Sequence, residues 1–560
     1  MLKSGSQKLC FASLSVVASV FCSNAGSAQD AVGALMGVVT DAVGAPLPGA
    51  FVQMKNADRR LSFMVISQEQ GKYSINRLPP GKYVVQAIGG EKQSAPSAPV
   101  EVAAGKSASA DLSLTVARAP ALAPAWPGRM PGELGAEAEA ATGGGPRLAE
   151  GEGKAIIEAK CMTCHDAQRI VRSRGNEARW QQVLRTMTLY AQGSTVAKPL
   201  AGDEEKVLLA YLSSNYAPTP GSAKPKPDPF SRLPRTLLPP EARGYMVVEY
   251  ELPNPRAEPH ELAVDNDGNG WVSQRVGGRL GRLDHKTLTY VEYEPPAAGS
   301  PIVRLNAIRR GNEGELWMVD GGPNRRWLSF NPKTERFTVY DLPPTRSGSA
   351  SGNTMRVHPD NTVWLAAIGS NEVIHLDPAT KQFTVYDVPV GVKNNRNATP
   401  YGMAIGGDGN IWVVENAFDQ IARIDRTTGK FDEFPLGVKN PVARKLGADW
   451  DGNLWVGLHG AGKLLRVDYK TLKMTEFTPP SKDAGVYLAE PDLKNHLIWT
   501  TLHHVDKLGR LDPATGTWSE YPLMLAETDV RRIDLDPTNP KRVWYSGVLS
   551  SRVGYVELLQ

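Results

Sequence analysis

The sequence predicts a multidomain, mainly β chain: a β-sandwich, a small all-α domain and a seven-bladed β-propeller. Three observations carry this. Seven tryptophans recur at near-constant spacing across residues 244–560. Residues 31–115 alternate apolar and polar side chains in short runs bounded by glycine and proline. Two linker-like stretches, 116–150 and 217–243, bracket a helical segment that holds a C-x-x-C-H motif. The 560 residues suffice for three or four domains of about 150 residues each. At 41% hydrophobic and 22% charged, the chain is neither fibrous nor wholly disordered. Lys plus Arg is 63 against 59 for Asp plus Glu, a net of +4, which gives no case for nucleic-acid binding.

Residues 1–28 read as a signal peptide. Lys3 and Lys8 give a positive start, Leu9 to Cys22 are apolar or small, and Gly26-Ser27-Ala28 precede a cut at Gln29. A membrane anchor is the competing reading, but the run is shorter than the roughly 20 residues a span needs. Phe21 before Cys22 argues against lipoprotein processing, which wants a small residue there. No later segment is apolar for long enough to span, so the expected protein is periplasmic with no transmembrane anchor. Cleavage would remove Cys10 and Cys22 and leave Cys161 and Cys164 in an oxidising compartment.

In residues 31–115, Val38-Val39-Thr40, Ala50-Phe51-Val52, Tyr73-Ser74-Ile75 and Tyr83-Val84-Val85 are strand-like. Gly37-Val38-Val39-Thr40-Asp41, Gly44-Ala45-Pro46, Gly49-Ala50-Phe51-Val52, Gly71-Lys72-Tyr73 and Leu78-Pro79-Pro80-Gly81-Lys82-Tyr83 resemble the carboxypeptidase regulatory-like family. That resemblance implies a prealbumin-like β-sandwich acting as an accessory or interaction module without catalytic residues. Residues 116–150 are rich in Ala, Pro, Gly and Glu and read as a linker; residues 217–243 are a second, proline-rich one.

Between the linkers stands Cys161-Met162-Thr163-Cys164-His165, a haem-attachment motif. Its spacing places two thiols to form thioethers with the haem vinyls and His165 to bind the iron. A redox dithiol would want a βαβ context, and zinc would want further Cys or His ligands; this segment has neither. For the opposite side of the iron, residues 150–243 hold only Met162 and Met187 besides His165. Met162 is inside the attachment loop, so Met187 is the candidate distal ligand; a core methionine is its other reading. Met/His ligation raises a haem's potential. Residues 151–216, with Trp180, Val183, Met187 and the closing Tyr211-Leu212, are similar to small c-type cytochrome domains attached to periplasmic dehydrogenases. The similarity implies one-electron transfer through one covalent haem c.

The propeller reading rests on Trp271, Trp317, Trp364, Trp412, Trp455, Trp499 and Trp544, separated by 46, 47, 48, 43, 44 and 45 residues. The clearest copies are Gly409-Asn410-Ile411-Trp412 and Gly452-Asn453-Leu454-Trp455. Each repeat supplies four strands at the period of a propeller blade. The seventh repeat lacks a final aromatic strand, and a matching one, Val247-Val248-Glu249-Tyr250-Glu251-Leu252-Pro253, precedes the first repeat. This strand is expected to complete the last blade and close the ring.

Gly409-Asn410-Ile411-Trp412-Val413-Val414-Glu415 and Ile421-Ala422-Arg423-Ile424-Asp425 resemble the streptogramin (virginiamycin B) lyase family across residues 244–560. The resemblance implies a lyase site of Glu-x-His at the start of an inner strand, a second Glu three residues after the next Trp, and magnesium. Glu258-Pro259-His260 fits the first part, but Gln274 stands three residues after Trp271. Glu415 fits the second part in another repeat, where Thr399-Pro400-Tyr401 replaces Glu-x-His. The division between two blades argues against magnesium binding and β-elimination.

Starts of inner strands and ends of second strands meet at one mouth of the channel, a usual setting for a ligand site. His260, Asn306, Asn353, Tyr401, Arg444, Tyr487 and Arg531 fall at the first kind of position; Asp320, Glu415, His459, His503 and His504 fall at or near the second. The candidate catalytic residues are Glu258, His260, Glu415 and His459. A hydrated rim is the plainer reading of the same residues. His503 and His504, read as strand neighbours, point to opposite faces and would not share an ion. Asp265-Asn266-Asp267-Gly268-Asn269 resembles the start of a calcium loop, but Val276 stands at position 12, where a Glu is required; a hairpin turn explains it.

The leading functional reading is a periplasmic c-type cytochrome that takes electrons from a redox partner protein or a small-molecule donor. Its propeller binds a substrate or partner and in a stronger form is a dehydrogenase. A lyase with an accessory haem, and a surface-binding scaffold, are the alternatives. The sequence assigns no oligomeric state.

Overall fold

The computed structural model describes residues 32–118, 148–162, 170, 175–192, 194–195, 197–217, 230, 233, 235–348 and 352–559. The signal-peptide segment, most of the first linker, Cys164 and His165 lie outside them. No helix among the described residues is long and apolar enough to cross a membrane.

From residue 259 on, the chain builds six four-stranded antiparallel sheets and the three inner strands of a seventh. The inner strands are Pro259–Val264, Leu305–Arg310, Thr354–Val357, Pro400–Ile405, Ala443–Ala448, Glu490–Asp492 and Val530–Leu535. Each touches the next, and the last touches the first, so the sheets form a ring. The repeated tryptophan sits on the second strand of every blade and is at most 4% exposed. In six of the seven blades its indole N–H donates to the turn that opens that strand. Trp271 donates to Asp265 Oδ2 at 2.7 Å, and Trp455 to Asp449 Oδ2 at 2.8 Å. The other oxygen of Asp265 accepts the backbone N–H of Asp267 and Asn269. The calcium-like Asp265–Asn269 is therefore a hairpin turn whose carboxylate is spent on its own backbone and its tryptophan, and Asp449 repeats the device. Truncating such a tryptophan to alanine costs about 3–5 kcal/mol.

The seventh blade is completed by Tyr245–Glu251, which pairs antiparallel with Arg552–Leu558, Val248 opposite Tyr555. Its other edge is occupied too. Leu61–Ile66 of the N-terminal domain pairs with the same strand, Phe63 opposite Val248 and Leu61 opposite Tyr250. One ten-stranded sheet thus runs from the N-terminal domain into the propeller, and the outermost edge of blade seven is covered rather than exposed.

The N-terminal domain is a β-sandwich. Gly33–Thr40 and Lys72–Leu78 lead one sheet; Phe51–Asn56, Leu61–Ile66 and Gly81–Gly89 lead the other. Every residue of Leu61–Ile66 is buried. Phe63 joins the sandwich core, while Met64 and Ile66 join a cluster that reaches propeller residues Tyr245 and Val247.

Four of the second linker's described residues, Phe230, Leu233, Arg235 and Arg243, are buried. Arg235 is buried, donates to the carbonyls of Leu523 and Met524 at 2.9 and 2.7 Å, and lies over the Phe51 ring. Arg243 pairs with Glu69 at 2.8 Å. This stretch mortars the sandwich to the propeller.

A small helical unit comprises Glu152–Ile156, Glu177–Gln192 and Glu204–Asn215. Ile157, Trp180, Leu184, Leu208, Tyr211 and Leu212 form its core, and Cys161 packs against it. It rests on the propeller. Tyr190 Oη donates to Gly321 O at 2.9 Å, and Thr195 N to Thr345 O at 2.9 Å.

Candidate functional site at the channel mouth

The mouth is built by one local device used repeatedly. The residue before the inner strand has positive φ in four blades: Glu258 (50°), Thr399 (55°), Val442 (43°) and Asp529 (56°). For a β-branched residue such as Val442 this is costly backbone. Two positions after this turn stand His260, Tyr401, Arg444 and Arg531. Just past the second strand, the fourth residue after the tryptophan is Arg275, Gly321, Asn416, His459 and His503 in blades one, two, four, five and six.

On the side of blades four to seven these groups converge. Tyr401 and Tyr487 are joined hydroxyl to hydroxyl. The Arg444 guanidinium lies 4.8 Å from the Tyr401 ring centre and 5.3 Å from that of Tyr487. The Tyr487 ring stands 5.6 Å from His459 and 5.1 Å from His503. His459 Nε2 is 3.2 Å from His503 Nδ1, and His503 Nε2 is 2.6 Å from Asp529 Oδ1. Arg531 grips Asp529 through two bonds of 2.9 and 2.8 Å. Burial alone would raise the Asp529 carboxyl; Arg531 and the bond from His503 outweigh it and hold it well below the usual carboxylate range. Burial, then Arg444, keep His459 well below an ordinary imidazole and therefore neutral.

His503 and His504 correct the expectation that they diverge. They do not lie in a strand. The second strand of blade six ends at Leu502, and His503–Val505 form a 3-10 turn closed by Asp506 at φ 49°. The alternation that separates strand neighbours does not operate in a turn, and nitrogens of His459, His503 and His504 lie within 4.8 Å of one another. These three residues can hold a metal ion. The signal was in the repeat: blade four turns at the same place through Asn416–Phe418, closed by Asp419 at φ 53°.

The other candidates stand apart. Glu258 is engaged by Arg275. His260 is buried, its Nδ1 has no partner among the described residues, and burial holds it well below an ordinary imidazole. Gln274 donates to Tyr290 and Glu292. Glu415 is buried, accepts from Gln420, and is pushed up to about 8 by burial. Asp320 is spent on Arg326 at 3.0 Å and on the backbone N–H of Arg304 and Gly322. Deeper in the channel, Lys445 pairs with Glu261 and Arg532 with Glu490. Cys161 ends the first helical stretch and Met187 lies half-buried on Glu177–Gln192.

Two stretches match known families. Residues 34–115 match the carboxypeptidase regulatory-like domain, and residues 301–559 match the virginiamycin B lyase family. The β-sandwich is thus carboxypeptidase regulatory-like and the propeller virginiamycin B lyase-like. A probable peptidyl-alpha-hydroxyglycine alpha-amidating lyase of Caenorhabditis elegans is 23% identical over 209 residues, which are 34% of this chain and 59% of that protein. Among solved structures, virginiamycin B lyase of Staphylococcus aureus is 20% identical at a TM-score of 0.49, covering 56% of this chain and 99% of that one. A streptogramin B lyase is 23% identical at a TM-score of 0.49, covering 56% and 98%.

Proposed function

We propose that the chain is a periplasmic c-type cytochrome whose propeller mouth binds the molecule that exchanges electrons with the haem. The observation that carries this is the sequence motif Cys161-Met162-Thr163-Cys164-His165, whose first residue ends a helical stretch of the unit that rests on the propeller. Gly321, the carbonyl that Tyr190 grips, holds in blade two the repeat position that His459 and His503 hold in blades five and six. The donor set fits a covalent haem. Cys161 and Cys164 would attach it, and His165 and Met187 would ligate the iron from its two sides. When bound, the haem supplies one-electron transfer. Tyr190 and Thr195 hold the unit carrying it against the rim, and the rim's tyrosines, histidines and arginines bind and orient the partner molecule.

Purified full-length protein, matured in a periplasm competent for haem attachment, should give about one haem per chain by the pyridine haemochrome method. Met187→Ala should lose the sulfur-to-iron band and lower the potential. A screen of periplasmic metabolites for haem reduction identifies the donor. Protein that leaves such a host without covalent haem would overturn the reading.

A second reading, a redox-independent lyase at the same mouth, draws on the family match of residues 301–559. Glu258 and Gln274 do not fit its magnesium set, because the carboxylate is paired with Arg275 and the second position carries an amide engaged elsewhere. Magnesium-dependent opening of a cyclic ester, abolished by His260→Ala, would establish this reading instead.

A further inference from the structure

We propose that His459, His503 and His504 form a binding site for one zinc-type divalent transition-metal ion at the propeller mouth. Hydrogen bonds already select the ring nitrogens of His503 and His504. The Asp483 carbonyl can only accept, so the His504 Nδ1–H donates to it at 2.9 Å and Nε2 keeps its lone pair. That Nε2 is buried with no partner among the described residues. The Asp529 carboxylate accepts the His503 Nε2–H at 2.6 Å, which directs the Nδ1 lone pair toward His459. A metal-ligating histidine ordinarily shows this arrangement, with the distal N–H on a carbonyl or carboxylate.

The spacing fits as well. Two nitrogens held about 2.0–2.1 Å from one tetrahedral ion stand about 3.3 Å apart. His459 Nε2 and His503 Nδ1 stand 3.2 Å apart, and the third nitrogen lies within 4.8 Å. In the metal-bound form the proton that His459 Nε2 shares with His503 Nδ1 moves to His459 Nδ1, so that both facing nitrogens turn their lone pairs to the ion. Borderline imidazole donors without thiolate or carboxylate in the set favour zinc-type ions over magnesium or calcium. Three protein ligands leave the fourth position open, the pattern of a site that takes water or substrate rather than one that only braces a fold. Asp529, locked by Arg531, is a positioning residue for His503.

The test uses the full-length haem-bearing protein, stripped with chelator and titrated with zinc alone. One zinc per chain beyond the haem iron is expected, with three imidazoles at about 2.0–2.1 Å in the zinc-edge X-ray absorption spectrum. His459→Gln and His504→Gln should each weaken zinc binding at least 100-fold, and Asp529→Asn about 10- to 100-fold, with haem content unchanged. If His503→Gln does not fold, His504→Gln and the absorption spectrum still decide the matter. Protein that retains no zinc at micromolar concentration, a spectrum without imidazole scattering, or parent-like affinity in His459→Gln and His504→Gln would each overturn the site.

Discussion

The rim of blade one and the rim of blades five to seven use the same turn for different ends. Glu258-Pro259-His260 and Asp529-Val530-Arg531 occupy one repeat position, each opened by an acidic residue at positive φ. In blade one the acid turns outward to Arg275, and both side chains remain about a third exposed. In blade seven the acid is fully buried between His503 and Arg531. The motif that reads most like a catalytic element is therefore a surface ion pair. The electrostatically demanding cluster lies in other blades, within residues 301–559 that match the virginiamycin B lyase family. A short motif places a residue at the rim, but its neighbour at the fourth position after the tryptophan decides what that residue does.

The largest expected effect separates the two ion pairs. Arg531→Ala leaves Asp529 buried with only His503, and breaking a buried pair costs about 3–5 kcal/mol. Arg275→Ala breaks an exposed pair, worth about 0–1 kcal/mol. Denaturant midpoints of the full-length variants measure both, and equal losses would erase the contrast.

The same reasoning bounds what the sequence could reveal. The ring, its closing strand and the sandwich were legible because each rests on periodicity: Trp271 to Trp544 mark the blades, and Val247 to Leu252 repeat the aromatic strand missing after Tyr555. The pairing of Leu61–Ile66 with that closing strand was not, because edge pairing leaves no periodic trace. Its one signal was the near absence of polar alternation in Leu61-Ser62-Phe63-Met64-Val65-Ile66, a strand buried on both faces. At the mouth, repeat counting aligns His260, Tyr401, Arg444 and Arg531 at equivalent positions. It does not reveal the convergence of His459, His503 and His504, because nothing in the residues after Leu502 marks the 3-10 turn that ends the strand there. The partners that engage Glu258, Gln274 and Asp320 come from other strands and cannot be counted along one repeat.

The next effects are in pH, with opposite signs at two buried rim residues. Burial pushes Glu415 up to about 8, whereas an unfolded glutamate titrates at about 4.3. The folded state then binds the extra proton between these values, so this contribution is fully present below the unfolded value and is lost as pH rises through about 8. Glu415→Gln should escape that loss, the gap to the parent shifting in its favour by about 2–4 kcal/mol between pH 5 and pH 9. His260 has the reverse sign. Burial, then Arg531, hold it well below the usual imidazole value, so its contribution is full above about 6.5 and falls as the solution is acidified below that. His260→Gln should flatten the acid limb of the melting curve below about pH 6.5 and leave the alkaline limb alone. A variant that tracks the parent across the acid limb would mean that His260 is charged in the folded protein.

The smallest expected effect is at Glu258. Its partner Arg275 and the carboxylate itself are 37% and 31% exposed, so solvent screens the pair and each group can be rehydrated when the other is lost. Glu258→Gln keeps the side-chain shape and the oxygen that Arg275 Nε and Nη2 address, replacing only the charge. The expected change in stability is below about 1 kcal/mol, shrinking further with added salt because exposed charges are screened over about 10 Å at 0.1 M. The substitution also separates the two rims in function. Zinc binding at the proposed histidine site should be unaltered, since Glu258 makes no contact with His459, His503 or His504. If Glu258→Gln abolishes a magnesium-dependent activity instead, blade one carries chemistry that its ion pair conceals, and Arg275 would then be the residue that must move for the carboxylate to reach an ion.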